Sequence, residues 1–135
     1  MGSKLEVDRR LVKELIHEAL TSDGEICGFL LGRVEGERFR ARELYKARNV
    51  SLTRGTSFKV DPRDVYEAHV YAERRGFDVV GIYHSHPGPP NPSATDLECM
   101  RGWPVAWLII SSTDGSVAAY IAKQGSVEEL ELQIT

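Results

Sequence analysis

The sequence predicts a single α/β domain in which a mixed β-sheet is flanked by helices. Three observations point there. A length of 135 residues suits one continuous core but not two. Helical and strand periodicities alternate along the chain. No repeat or linker separates them, so residues 1–135 read as one unit.

The elements can be justified in order. Met1 to Ser3 carry the Gly-Ser pair that a cloning scar leaves. Asp8 can cap a helix over about Arg9 to Leu20, with Leu11, Leu15, Ile16 and Ala19 on one face. Ile26 to Leu31 is a short glycine-bounded apolar run, better suited to a buried strand than a helix. Val34 to Glu37 signals a hairpin turn, and the chain returns through Phe39 to Ala47 as a second strand. Arg48 to Ser57 reads as a loop. Asp61-Pro62 is a helix start, an acceptor at the cap followed by a proline whose missing N–H costs nothing there. Val65, Ala68, His69 and Ala72 form the inner stripe of that helix, and Gly76 stops it. Phe77 to Tyr83 is an almost unbroken apolar strand, which implies cover on both faces. Pro87 to Pro92 cannot be regular structure. Ser93 to Asp96 opens a short helix that ends near Gly102-Trp103-Pro104. Val105 to Ile110 and Val117 to Ile121 are strands joined by a turn at Thr113 to Ser116, with a last strand near Leu130 to Ile134.

Composition excludes several functions. Hydrophobic residues are 41% and charged residues 27%, the usual balance of a soluble globular protein. The net charge of -3 and the scattered arginines give no surface for a phosphate backbone, so no nucleic-acid partner is expected. Nothing approaches the roughly 20 apolar residues of a membrane span. The two cysteines, Cys27 and Cys99, form neither a disulfide framework nor a C-x-x-C pair, which fits a reducing cytoplasm. Oligomeric state is not legible.

The informative segment runs from Tyr83 to Asp96. His84 and His86, at i and i+2 near the end of a strand, point to the same face and can share one cation. Asp96, in the first turn of the next helix, can fold back as a third ligand. Two nitrogens and one oxygen leave a fourth position open, the pattern of a catalytic zinc site. The same set also suits Fe(II). A water activated there still needs a base to carry its proton. Glu25, a charge placed just before a buried run, is the candidate, although a solvated turn residue would look the same.

Taken together, Glu25, His84-Ser-His86 and Ser93-Ala-Thr-Asp96 resemble the JAMM (MPN+) metalloprotease motif. Glu25 to Gly32 resembles the family's first core strand, and Asn49, Phe58 and Asp61 are similar to its middle segment. The resemblance runs from about Leu5 to Ile121 and implies the family's cytidine-deaminase-like layering. It implies one Zn2+ per chain held by His84, His86 and Asp96, with Glu25 as general base and then acid. It also implies that Ser93 stabilises the oxyanion. The implied activity is removal of a ubiquitin-like modifier after its C-terminal glycine, or processing of a ubiquitin-fold sulfur carrier. A minimal domain of this kind resembles free-standing prokaryotic members. One departure is that Pro87 to Pro92 leave six residues between His86 and Ser93, one fewer than the family usually has.

Blander readings stand beside these. Ser93 to Asp96 also matches a capping box, which explains the serine without catalysis. His17 reads as a surface residue, His69 as packing or capping locally, and Cys27 as a small buried residue. Cys99 lies one turn after Asp96 and is not counted as a ligand. Trp103 and Trp107 read as core. A modifier tail is expected to add a strand to an open sheet edge. A non-catalytic MPN scaffold would lack ligands, and none is lacking. A nucleobase deaminase needs H-x-E with P-C-x-x-C, which is missing. A RadC-like DNA-repair protein usually shows H-N-H-P, whereas this chain has His84-Ser-His-Pro87.

Overall fold

Ten elements follow one another: β1 (Lys4–Val7), α1 (Arg9–Thr21), β2 (Cys27–Glu35), β3 (Arg38–Ala47), α2 (Pro62–Arg74), β4 (Asp78–His86), α3 (Ala94–Arg101), β5 (Ala106–Ser111), β6 (Val117–Lys123) and β7 (Ser126–Ile134). The computed structural model describes residues 2–53, 55 and 58–135. The expected scar residue Met1 and three positions of the expected loop (54, 56 and 57) lie outside the described residues.

The strands close a barrel in the order β1-β3-β2-β4-β5-β6-β7. The sheet is mixed: β4 runs parallel to β5, and β1 runs parallel to both of its neighbours, β3 and β7. Closure corrects the expected open edge, because β3 and β7, which would otherwise be the outermost strands, are joined through β1. That strand was not anticipated, since four residues are too few for a periodicity to declare itself. Leu5 and Val7 are nevertheless fully buried. Ser3 is buried too, donating to Glu37 Oε1 at 3.2 Å and accepting from Lys123 Nζ at 2.8 Å.

Each sheet face is covered. Leu11, Val12, Leu15 and Ala19 of α1 pack with Leu30, Val80, Leu108 and Ile110 on one side. Ala68 and Ala72 of α2 and Met100 of α3 pack with Phe29, Leu31, Ile82 and Trp107 on the other. Adjacent residues of β4 and β5 therefore belong to opposite clusters, which is why both strands are almost continuously apolar.

The helix ends follow the expected chemistry with two exceptions. The Asp61 carboxylate accepts from Arg63 N, Pro62 opens α2, and Gly76 follows its end at φ 75°. Asp8 stands at the N-cap of α1 but its side chain makes no capping bond; it pairs with Arg42 at 3.4 Å instead. His69 is exposed rather than part of the inner stripe, its Nδ1 2.9 Å from Val65 O. Asp64 is buried in its place, because Arg48 supplies both a backbone N–H and a guanidinium to its carboxylate.

Gly32 sits where the β2–β3 register shifts, and a Cβ there would lie 1.7 Å from Arg40 O. Gly36, in the hairpin turn at φ 63°, has open space around it. Gly32→Ala is therefore expected to cost about 3 kcal/mol or more through backbone displacement, against about 1 kcal/mol for Gly36→Ala from its left-handed φ alone. Thermal or denaturant melts of the two variants measure the difference.

Candidate metal centre

The site is built by strand register. In the antiparallel β2–β4 ladder Cys27 pairs with His84, so one further step sets Ile26 against Ser85 and a second sets Glu25 against His86. The middle step is locked twice. Ser85 N donates to Ile26 O at 3.0 Å, and Ile26 N donates to Ser85 Oγ at 2.9 Å. On the other side of β4, Ser112 N donates to His86 O at 2.9 Å, fixing the strand end against β5.

His84 and Asp96 are buried and His86 is partly exposed, and one donor atom from each lies within 4.8 Å of the others. His84 Nε2 stands 3.0 Å from Asp96 Oδ2. Two ligands on tetrahedral zinc, with bonds near 2.0–2.1 Å, stand roughly 3.3 Å apart, so this pair is almost at ligand spacing. His86 Nδ1 faces Pro87 O at 3.0 Å and Nε2 faces Asn91 O at 2.8 Å. A neutral imidazole can donate to only one of these carbonyls. A cation at the other nitrogen would satisfy the ring, so the donor set fits a metal.

The α3 terminus aims the carboxylate. Ser93 Oγ accepts from Asp96 N at 3.1 Å and Ser93 N donates to Asp96 Oδ2 at 2.9 Å, a reciprocal capping box. Ser93 faces the same cavity as Glu25, His86 and Asp96, so the shorter proline loop leaves it at the site. That loop is pinned by Tyr120, whose hydroxyl donates to Pro90 O, and by Thr113 Oγ1, which accepts from Gly88 N.

Glu25 and Asp96 have opposite electrostatics. Burial pushes Glu25 up to about 7, against a lowering by the nearby His86 and with a smaller rise from Asp96. Burial would raise Asp96 as well, but the bond and charge of His84 and the Ser93 N–H hold it below its ordinary value. Cys27 is a buried thiol pushed up to about 12, chiefly by burial. Cys99 borders the cavity but is not among the three ligand candidates; burial and then the charge of Asp96 raise its thiol.

Two positioning residues escaped the sequence reading. Ser85 enters the sequence only as the middle of His84-Ser-His86, although a serine in a buried strand needs a partner. Asn49 was noted only for resemblance. Its Nδ2 donates to Glu25 O at 2.9 Å, while its Oδ1 accepts from Ser51 N and Lys59 N. Trp107 is core as expected, and Trp103 is partly buried beside it.

Residues 8–123 match the protein family described as prokaryotic homologs of the JAB domain. The chain belongs to this family. It is 32% identical to a desampylase of Pyrococcus furiosus over 98% of this chain and 91% of that one. It is 35% identical to a probable TtuB-protein conjugate cleaving protease of Thermus thermophilus over 92% of this chain and 80% of the other. A solution structure of a Desulfitobacterium hafniense protein superimposes with a TM-score of 0.85 at 26% identity, covering 97% of this chain and 92% of that one. Among the described residues no helix is long and apolar enough to cross a membrane.

The Glu25 shift has a stability consequence. The folded carboxyl holds its proton up to about pH 7, whereas its ordinary value is 4.5, so the native state binds more protons between those limits. Stability is therefore withdrawn as pH rises through that window. In chelator-stripped protein Glu25→Gln is expected to stabilise by about 1–3 kcal/mol at pH 8 and hardly at all at pH 4. Paired melts at the two pH values check the sign.

Proposed function

We propose that this chain is a zinc-dependent isopeptidase that releases a ubiquitin-like modifier by hydrolysing the amide after its C-terminal glycine. The observation that carries the reading is that a buried carboxyl, Glu25, shares one cavity of about 580 Å³ with His86 and Asp96, two members of the three-residue ligand cluster that His84 completes from beneath. A modifier-cleaving role is supported by the names of the Pyrococcus and Thermus relatives. The two unpaired cysteines agree with a cytoplasmic setting.

His84, His86 and Asp96 would hold the ion. Bound zinc supplies Lewis acidity, polarising the scissile carbonyl and making water a better nucleophile at neutral pH. The chain's own residues then move protons. Glu25, with an affinity near neutrality, takes a proton from the attacking water and passes it to the leaving amine. The Ser93 hydroxyl accepts from Asp96 N, and its own hydrogen can donate to the oxyanion of the tetrahedral intermediate. Asn49 holds Glu25 through its backbone carbonyl, so the base does not drift when water leaves the cavity. The leaving group is a lysine side chain, a linear peptide or a cysteine joined to a sulfur carrier, and in each case the bond cut is the amide after the C-terminal glycine.

Glu25→Gln is expected to lower cleavage by at least about 10²–10⁴-fold while zinc stays near one per chain. Intact-mass assays on a panel of glycine-linked modifier conjugates, with metal analysis in parallel, test both halves. Full turnover by the variant rejects the base assignment. Ser93→Asn separates capping from catalysis, because asparagine caps as well as serine. Its melting point should stay near the parent's while kcat falls about 10²–10³-fold if the hydroxyl serves the oxyanion.

A further inference from the structure

A ligand imidazole is ordinarily oriented from behind, its second nitrogen donating to a carboxylate, a carbonyl or water. Among the described residues His84 has no such partner: the ring is fully buried and Nδ1 makes no hydrogen bond to them. Aromatic rings pack against the imidazole instead. Phe58 stacks on one face, with centroids 4.4 Å apart and planes 22° apart, and Trp107 presents an edge-on contact at 5.9 Å and 82°. We propose that Phe58, backed by Trp107, is a positioning residue that fixes the plane of the His84 imidazole by stacking, in place of the missing hydrogen bond.

The two constraints on the ring are complementary. Stacking fixes the plane but cannot tell one ring nitrogen from the other, because a half-turn about Cβ–Cγ leaves the contact unchanged. Asp96 Oδ2, 3.0 Å from Nε2, selects which nitrogen faces the other ligand candidates. Phe58 is itself held through its neighbour Lys59. Lys59 N donates to Asn49 Oδ1, Val50 N donates to Lys59 O, and Asn49 donates to Glu25 O. The clamp on the ligand and the anchor of the base are therefore one piece of chain. Phe58 also borders a second, apolar cavity of about 220 Å³ shared with Phe29, Val65 and Trp103. Removing its ring would join that cavity to the catalytic one and free the imidazole to tilt.

The inference rests on the metal-site reading above, and its test separates the two. Phe58→Leu keeps the apolar bulk and loses the flat face, whereas Phe58→Trp keeps a face. Zinc affinity is read by competition with a chromophoric chelator, and the His84 ring by nitrogen-15 NMR of the metal-free proteins. Phe58→Leu is expected to fold with a melting point near the parent's and bind zinc about 10-fold more weakly or worse. Its His84 signals should broaden or average, and Phe58→Trp should restore both readouts. Equal zinc affinity and unchanged His84 signals in Phe58→Leu would overturn the clamp while leaving the metalloenzyme intact. Failure of the parent to bind zinc would overturn the enzyme reading together with the clamp's role towards a metal.

Discussion

The paired hydrogen bonds between Ser85 and Ile26 are the constraint on which the site depends. They fix the register that sets Glu25 across from His86, and in a strand with a two-residue repeat no half-measure exists. A slip by one residue would turn both histidines to the opposite face and present Ser85 to the cavity. The serine between the histidines is thus a fastener. Its side chain occupies the backbone donor of Ile26, the residue next to Glu25, at a point where the ladder would otherwise fray.

Two carboxyl groups share this cavity and their surroundings drive them apart. Asp96 is paid for with donors: a ring nitrogen and a backbone N–H at a helix start, where negative charge is favoured. Among the described residues Glu25 has no comparable set, and its burial, with 7% of its surface exposed, favours the protonated form. One group suits holding a cation and the other suits exchanging a proton, and the difference lies in environment rather than residue type.

Much of this was legible in the sequence. Asp61-Pro62 announced α2, the apolar run before His84 announced a strand covered on both sides, and the spacing of His84, His86 and Asp96 announced their convergence. What stayed hidden was decided by tertiary pairing. β1 is too short to show a period and exists because β3 and β7 leave a gap between them. Asp64 inside α2 reads as a surface residue until Arg48, from a loop, neutralises it. His69 matches the apolar spacing of its helix, but nothing in that spacing says where the barrel ends. Asn49 and Phe58 lie far from the motif in the chain, and their bearing on Glu25 and His84 follows from the Asn49–Val60 bridge that no local pattern encodes.

The short first strand also sets an order of events. Lys4 pairs with Glu131 and Val7 with Ile134, so the cylinder can be sealed only after the last strand has left the ribosome. Until then Leu5 and Val7, fully buried at the end, are paired on one side only, against β3. The hairpin of β2 and β3 and its junction with β4 can form much earlier, because their partners are already synthesised. A nascent chain thus holds the paired β2, β3 and β4 in an unsealed shell, with one side of β1 bare until β7 arrives.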